Sequence, residues 1–490
     1  MGILSNLEPR SVFRYFEEIC SIPHGSGNTK AISDYCVHFA IEHHLDYLQD
    51  DANNVIIFKN GTTGYENSAP VIIQGHLDMV CEKEQGCDID FTKDGLQLQL
   101  EHGTVTANGT TLGGDDGIAV AYALAILEAD DIPHPPLEAV FTVDEEIGML
   151  GAAALDCSPL KGRMMLNIDS EEEGCLLVSC AGGASATAHL PVQTQKASGT
   201  LATLHITDLL GGHSGVEIDK GRANACMLLG RTLYWLKKEF AFDLISVNGG
   251  LKDNAIPREA HAKLVLSPDT DRKRLSEALS AQNSYYKNEY KQTDAAVQVS
   301  LTEEKEDVSI DVMTPETADK AISALCCLPN GIQYMSHDIE GLVQTSLNLG
   351  ILSTKEGNAS SGNEVSFTFS VRSSISSQKG ELIDKICCLM ESLGGSVSCK
   401  GDYPAWEYRQ ESPLRDLMTS IYEKQYGKKP VINAIHAGLE CGIFSDRLPG
   451  LDCVAFGPDI KDIHTPKETL DVESVQRTWN YILEILKELR

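Results

Sequence analysis

The chain has 490 residues and carries 71 Asp and Glu against 40 Lys and Arg, a formal net charge of −31. This excess of acid repels polyanions, so nucleic acids and anionic membranes are not expected partners. An apolar fraction of 42% with 23% charged residues is ordinary globular composition. Because the chain is too long for one ordinary hydrophobic core, we expect two domains.

We expect neither export nor membrane insertion, because no run of about 18 apolar residues occurs and the amphipathic N-terminus carries charge where a signal peptide is apolar. Fifteen cysteines, an odd number without the spacing of a secreted scaffold, favour reduced thiols. We therefore expect a cytoplasmic protein.

The first part of the chain, residues 1–184, alternates short apolar runs with helical patterns. Strands are predicted at 55–58, 71–74, 137–143 and 164–168, and helices at 11–20, 29–42 and 118–129. Such alternation predicts an α/β fold with a mostly parallel sheet and helices on both faces. The Gly-rich segment at 181–183 is interpreted as the turn that closes this region.

Residues 185–400 have the amphipathic strands and long helices of a different, α+β domain, which we expect to be inserted in the first. Strands are predicted at 200–207, 255–266, 296–301, 346–352 and 365–371, and helices at 222–239, 271–290, 316–325 and 379–393. Residues 401–490 return to the earlier pattern, with helix 413–426, strands 430–435 and 452–456 and a helix from 472. They are expected to rejoin the first sheet.

Residues of the metal-ligand type follow four of the predicted strands of the first domain. In an open α/β sheet, ligands bind beyond the carboxyl ends of the strands. The residues at these positions are His76 with Asp78, Glu145 with Glu146, Asp169, and, after a short loop, His464. Asp115, in the sequence Gly-Gly-Asp-Asp-Gly at 113–117, precedes a helix in an equivalent position.

Each of these features has an ordinary structural explanation when taken alone. The His-x-Asp pair can be a satisfied polar pair, residues 144–146 a solvated turn, and Asp115 or Asp116 a helix cap. Their joint appearance favours a cation, because acids at a buried strand edge repel one another. Adjacent residues point apart, so one of Glu145 and Glu146 is expected to bind metal and the other to act as a base. Two histidines and three carboxylates fit a pair of divalent ions, with zinc preferred and cobalt or manganese as substitutes.

Eight segments resemble the aminoacyl-histidine (Xaa-His) dipeptidases, which belong to the co-catalytic zinc family of aminoacylases, carnosinases and carboxypeptidases. The segments are QGHLDMV at 74–80, TLGGDDGI at 111–118, DEEIGM at 144–149, NIDSEEEG at 167–174, GGHSG at 211–215, NAIPRE at 254–259, Arg372-Ser373, and IHAGLECG at 435–442. One departure is visible, because the family loop more often reads Gly-Ala-Asp-Asn-Gly where this chain has Asp115 followed by Asp116.

The resemblance implies a zinc-exopeptidase-like fold in which the inserted domain is a lid, and it implies two zinc sites. Asp115 bridges the metals, His76 and Asp169 complete one site, and Glu146 and His464 complete the other.

The resemblance also assigns roles around these metals. Glu145 is the general base and Asp78 orients the metal-binding imidazole of His76. His213 donates to the scissile oxygen, and Arg372 clamps the substrate carboxylate. Asn254 assists from the lid, and Glu440 binds the substrate ammonium group.

The expected function is therefore metal-dependent hydrolysis of unblocked dipeptides, including Xaa-His dipeptides such as carnosine. An aminoacylase or deacylase using the same metals is the enzymatic alternative, and a catalytically silent binding protein with the same fold is the other. The resemblance implies a homodimer, and a lid that covers the site within one chain is the alternative.

Overall fold

The computed structural model describes residues 2–355 and 362–490. The helices of these ranges are α1 (Arg10–Cys20), α2 (Lys30–Glu42), α3 (Gly114–Glu128), α4 (Leu150–Ala154), α5 (Ala225–Leu236), α6 (Arg272–Glu289), α7 (Pro315–Cys327), α8 (Ser376–Ser392), α9 (Pro413–Tyr426), α10 (Glu440–Arg447) and α11 (Val472–Glu488). Among the described residues, no helix combines the length and the apolar character needed to cross a membrane.

The strands of the same ranges are β1 (Asp46–Gln49), β2 (Val55–Lys59), β3 (Val71–His76), β4 (Leu98–Glu101), β5 (Thr104–Ala107), β6 (Leu137–Thr142), β7 (Met164–Asn167), β8 (Cys175–Cys180), β9 (Gly182–Pro191), β10 (Thr194–Thr207), β11 (Gly212–His213), β12 (Phe242–Gly249), β13 (Ala255–Ile256), β14 (Ala260–Leu266), β15 (Gln298–Met313), β16 (Gly331–Met335), β17 (Val343–Lys355), β18 (Glu364–Ser373), β19 (Ser396–Tyr403), β20 (Val431–Ile435), β21 (Asp452–Ala455), β22 (Ile460–Lys461) and β23 (Thr469–Asp471).

The chain forms two compact units. Unit 1 consists of Met1–Cys180, Trp406–Ala434 and Leu439–Arg490. Unit 2 consists of Ala181–Ala405 and Ile435–Gly438. Unit 2 is thus inserted between two parts of unit 1 and also takes a four-residue segment from the second part.

Unit 1 is built on an eight-stranded sheet in the order β1-β2-β6-β3-β7-β21-β8-β20. Its four central strands, β6, β3, β7 and β21, are parallel neighbours, whereas β1, β2 and β8 pair antiparallel at the sides. The parallel centre agrees with the prediction from the alternating pattern. The carboxyl ends of four consecutive strands therefore lie side by side at one edge of the sheet.

Both faces of the central strands are buried. Val71 and Ile73 of β3 belong to the main apolar core, which includes buried residues of α1, α3 and α11. Ile72 is equally buried, but it points to the opposite face because side chains alternate along a strand. The apolar residues of β3 are therefore continuous because both faces of this strand are covered.

Unit 2 contains a nine-stranded sheet, in which β15-β10-β14-β12-β17-β18-β9-β19 follow one another and β16 pairs with β17. Helices α5, α7 and α8 contact this sheet, and its core is dominated by Leu, Ala, Val and Phe. A two-stranded pair, β11 and β13, carries the segment around His213.

Two details of unit 2 differ from the prediction. The strand expected at 255–266 is divided into β13 and β14, with Pro257, which has no N–H to donate to a ladder, between them. The glycines expected to form a turn at 182 and 183 are instead the first residues of β9. A Cβ at Gly183 would collide with Tyr403 Oη, so glycine permits close packing there.

Candidate metal centre and substrate-binding residues

The predicted metal ligands of unit 1 lie together at the carboxyl edge of its sheet. His76 is the last residue of β3, Glu145 and Glu146 follow β6, Asp169 follows β7, and His464 follows β21 after the short strand β22. Because β6, β3, β7 and β21 are consecutive in the sheet, their ends bring these side chains into one group. Asp115 reaches the same group from the start of α3.

The carboxylate of Asp115 lies between the two histidines. Its Oδ1 is 3.1 Å from His76 Nε2, and its Oδ2 is 3.2 Å from His464 Nε2. His464 Nε2 is also 2.9 Å from Glu146 Oε1. Two ligands bound to one tetrahedral zinc at about 2.0–2.1 Å are about 3.3 Å apart, so these spacings suit a shared metal in each pair.

The charges of this group also fit a cation. Burial, together with neighbouring acids, raises the pKa of Asp169 and of Glu145 well above the usual range. Asp169 is 8% exposed, and its Oδ2 is buried without a hydrogen-bond partner. Buried carboxylates that repel one another and leave an oxygen unpaired are stabilised by a bound metal. The residues present therefore fit the metal that the sequence analysis expected.

The two histidines lie among carboxylates that raise their pKa values. Burial lowers the pKa of His76, but the carboxylates of Asp115 and Asp78 outweigh that effect and raise it well above its usual value. Hydrogen bonds to Asp115 and Glu146 raise the pKa of His464 to about 10. Because a metal binds only neutral imidazole, metal binding at these residues is coupled to proton release.

Asp78 positions both His76 and the turn after β6. His76 Nδ1 donates to the main-chain oxygen of Asp78 at 2.9 Å, while the Asp78 carboxylate is 3.6 Å away. This bond leaves His76 Nε2 free for a metal. The carboxylate accepts instead from Ser26 Oγ at 2.8 Å and from the main-chain N–H groups of Glu145 and Glu146 at 3.0 and 3.4 Å.

Glu145 and Glu146 do not point apart, contrary to the prediction from their adjacency. Strand β6 ends at Thr142, and the two acids lie in a turn in which Glu145 O accepts from the N–H of Gly148. The alternation of side chains holds only for extended backbone. One oxygen of each acid and one nitrogen of His76 accordingly lie within 4.8 Å of one another.

Asp116 lies against the backbone of β3. Its Oδ2 accepts from the N–H of His76 at 3.1 Å, and a Cβ at Gly75 would lie 2.6 Å from this oxygen. Asp116 also comes within 4.8 Å of potential ligand atoms of His76 and Asp169. Burial and the charge of Asp169 raise its pKa well above the usual value. Of the two adjacent acids, Asp115 is the one whose carboxylate contacts both histidines.

Glu468 is a residue of this site that the sequence analysis missed. Its buried carboxylate accepts from consecutive main-chain N–H groups of the loop that carries Asp115. Burial and the charge of Asp115 raise its pKa to about 7, against the lowering effect of these N–H donors. In the sequence, Glu468 stands in a polar segment beside Pro466 and Lys467 and has the pattern of an exposed turn.

In unit 2, the turn around His213 fixes the tautomer of that histidine. Its Nδ1 accepts from the N–H groups of Gly215 at 3.1 Å and Val216 at 3.2 Å. The proton therefore lies on Nε2, which is left as a hydrogen-bond donor. Burial and the charge of Arg372 lower the pKa of His213, which favours this neutral form. Asn254, itself exposed, accepts from Ser214 N–H through its main-chain oxygen at 2.8 Å.

Arg372 lies on β18 opposite Ser346 of β17 and belongs to a basic group within unit 2. Its Nη1 donates to Tyr403 Oη at 3.1 Å, and its Nε is buried without a partner. His436 is bonded to Ser346 Oγ through Nε2 at 2.7 Å, and its Nδ1 is likewise unpaired. Burial and the charges of Arg372 and His213 lower the pKa of His436 to about 3. Arg372 Nε is therefore an unpaired donor available to an anion, with the unpaired His436 Nδ1 nearby in the same group.

Glu440 is completely buried in unit 1. Its Oε2 accepts from Gln74 Nε2 at 2.5 Å and from Thr142 Oγ1 at 2.6 Å, while Oε1 has no partner. Burial raises its pKa to about 7. A contact with a substrate ammonium group requires that Oε1 be reached from the metal cluster, so this role stays a prediction.

Comparison with known proteins identifies the family. Residues 72–488 match the family model of peptidase family M20/M25/M40. The chain is 37% identical, over all of its length and 99% of the relative's, to the cytosol non-specific dipeptidase of Escherichia coli. The chain belongs to peptidase family M20/M25/M40.

Solved structures agree with membership of the M20 family. The aminoacylhistidine dipeptidase of Vibrio alginolyticus is 36% identical, with a TM-score of 0.89 over 99% of this chain and 98% of that one. A Staphylococcus aureus tripeptidase, 16% identical, shares the fold with a TM-score of 0.58 over 99% of each chain. The family model and the two dipeptidases at 37% and 36% identity show that the chain is a metal-dependent hydrolase of the peptidase class that acts on dipeptides, as predicted.

Proposed function

We propose that this M20 peptidase hydrolyses unblocked dipeptides, Xaa-His dipeptides among them, at a pair of divalent metal ions. The observation that carries the proposal is the position of Asp115, whose two carboxylate oxygens each contact a different histidine. The names of the relatives from Escherichia coli and Vibrio alginolyticus support the choice of substrate.

The ligands of each proposed metal follow from this arrangement. Asp115 is the shared ligand, with His76 and Asp169 on one side and Glu146 and His464 on the other. Imidazole nitrogen mixed with carboxylate oxygen suits zinc, and cobalt and manganese are the expected substitutes. When bound, the metals supply an electrophile for the substrate carbonyl and lower the pKa of the attacking water.

Glu145 is the proposed general base. One of its oxygens lies within 4.8 Å of His76, so it stands beside the proposed metals without contacting both histidines as Asp115 does. Burial raises the pKa of its carboxyl group, the direction that suits a base that must both accept and return a proton. Glu145 takes the proton of the attacking water and delivers it to the leaving amine.

His213 and Arg372 of unit 2 are proposed to act on the substrate itself. The free Nε2–H of His213 is the donor type that stabilises negative charge on a carbonyl oxygen. The guanidinium of Arg372 matches a terminal carboxylate, and the unpaired Nδ1 of His436 adds a neighbouring polar atom. Asn254 and Glu440 retain the assisting and ammonium-binding roles that the resemblance implies.

Arg372→Met is expected to lower kcat/KM for an unblocked dipeptide by about 10–100-fold, because a hydrogen-bonded charge pair contributes about 1.5–3 kcal/mol. The loss should appear mainly in KM. Assays of the wild type and the variant with a dipeptide, its C-terminal amide and its N-acetyl derivative test both the residue and the substrate class. The amide lacks the carboxylate, so it should be hydrolysed equally by both proteins.

The matched control is Arg274→Met, which removes a guanidinium from the surface of unit 2, where its ion pair is exposed. It should behave as the wild type with all three substrates. An equal loss of kcat/KM for the dipeptide and for its amide would show that Arg372 does not bind the substrate carboxylate. Faster turnover of the N-acetyl derivative than of the free dipeptide would favour an aminoacylase.

We propose a cytoplasmic location for this enzyme, supported by the name of the cytosol dipeptidase and by the thiols. All fifteen cysteines lie in the described ranges and are free. The homodimer implied by the resemblance stays a prediction.

A further inference from the structure

The loop that carries Asp115 has no cap of its own. Gly113 stands at the N-cap position of α3, where Ser, Thr, Asp or Asn ordinarily accepts from the first N–H groups of a helix. Glycine has no side chain for this purpose, and its φ of +66° lies in the left-handed region that glycine adopts readily. Asp115 and Asp116 have non-helical φ and ψ, so the regular helix begins only after them, and the main-chain N–H groups before it need an acceptor from elsewhere in the chain.

Glu468 supplies that acceptor. Its Oε2 accepts from Leu112 N at 2.8 Å and Gly113 N at 3.2 Å, and its Oε1 accepts from Gly114 N at 2.8 Å, with Asp115 N at 3.5 Å. The side chain is 3% exposed. One carboxylate thus accepts from the main-chain N–H groups of four consecutive residues, the last of which is the shared ligand Asp115.

The same residue is anchored in the loop of the other ligand. Glu468 lies four residues after His464, and the two are joined by a compact turn in which Glu468 N–H donates to Thr465 O at 3.1 Å. Since His464 and Asp115 have ligand atoms in one cluster with Glu146, a link between their loops fixes the separation of two ligands. The Glu468 carboxylate packs closely against Gly114, because a Cβ at Gly114 would lie 3.2 Å from Glu468 Oε1.

We infer that Glu468 is a positioning residue for the metal cluster, holding the Asp115 loop at the distance from His464 that a bound metal requires. This inference rests on the proposed metal site, and it adds a residue that contacts neither the substrate nor a metal. Its removal should weaken metal binding more than it weakens the fold.

Glu468→Gln tests this role, because the amide keeps the shape of the side chain but turns an N–H group toward backbone N–H donors. The matched control is Glu138→Gln. Glu138 is also 3% exposed and also accepts from loop N–H groups, those of Lys161 and Gly162, but it lies near the amino end of β6, away from the metal ligands.

The measurement is the zinc dissociation constant of each protein by chelator competition, together with the melting temperature of each metal-free protein. We expect zinc to bind at least one site of Glu468→Gln about 10–100-fold more weakly than the wild type, as found when groups that orient metal ligands are removed. Glu138→Gln should bind zinc as the wild type does, whatever its melting temperature. These constants are read without substrate, so the result stands even if dipeptides prove not to be hydrolysed.

A zinc dissociation constant of Glu468→Gln within about threefold of the wild type would overturn the inference, and so would an equal weakening in Glu138→Gln. If Glu468→Gln does not fold, Glu468→Asp replaces it, since the shorter side chain keeps the charge but withdraws the carboxylate from the N–H groups of Leu112 and Gly114. Weaker zinc binding by Glu468→Asp supports the positioning role, and unchanged zinc binding contradicts it.

Discussion

Glu145→Gln is expected to lower kcat for dipeptide hydrolysis by about 10²–10⁴-fold, the range that a positioned general base contributes. Gln keeps the size of the side chain but cannot accept the proton of the attacking water. The bound metal should remain, because Glu145 is not among the proposed ligands. The comparison requires kcat and metal content measured on the same protein samples.

The matched control for this change is Glu172→Gln, in the loop after β7, where the side chain is exposed. It should leave kcat and metal content unchanged. The metal-free Glu145→Gln protein should be at least as stable as the wild type, because the change removes one of several clustered, mutually repelling carboxylates. Turnover within tenfold of the wild type with metal retained would show that Glu145 is not the base.

Asp115→Asn is expected to lower kcat for dipeptide hydrolysis by at least about 1000-fold. Asp116→Asn is expected to leave kcat nearly unchanged. The amide of Asn cannot offer an anionic oxygen to each of two metals, and the loss of about 4 kcal/mol of electrostatic stabilisation corresponds to that factor. Metal content should fall with the activity. Asp116 accepts one backbone N–H bond, and its pKa is raised by burial, so Asn should replace it with little loss.

This pair of variants also decides the register of the Gly-Gly-Asp-Asp-Gly loop. Asp116→Asn restores the Asp-Asn sequence that the resemblance associates with the loop, and it serves as the control for changing an adjacent acid. If Asp116→Asn lost its metal while Asp115→Asn retained it, the assignment of the shared ligand would be reversed.

The sequence predicted most of what surrounds the metal cluster, because the relevant rule is simple. Parallel strands that are neighbours in a sheet present their carboxyl ends at one edge, and β6, β3, β7 and β21 do so with Glu145, His76, Asp169 and His464. The apolar runs that identified these strands are short, but they are continuous because both faces of each strand are covered. The antiparallel neighbours β1 and β8 lay outside the prediction. All four residues of β1 are exposed, so this strand lacks the apolar pattern by which a buried strand is recognised in a sequence.

Details that depend on backbone conformation were beyond the sequence. Glu145 and Glu146 lie in a turn entered through Asp144, whose φ of +55° is rare for a residue other than glycine, and an oxygen of each acid lies within 4.8 Å of a nitrogen of His76. Two backbone N–H groups donate to His213 Nδ1, and these contacts place the ring proton on Nε2. Glu468 acts on residues more than 350 positions earlier in the chain, and no local pattern marks such a contact.

The central claim, dipeptide hydrolysis at a two-metal cluster, is tested most directly by titrating exhaustively metal-free protein with zinc while following both metal bound per chain and hydrolysis of an unblocked dipeptide. We predict no turnover in the metal-free protein and full activity when two zinc ions are bound per chain. Undiminished dipeptide hydrolysis by the metal-free protein would contradict the account.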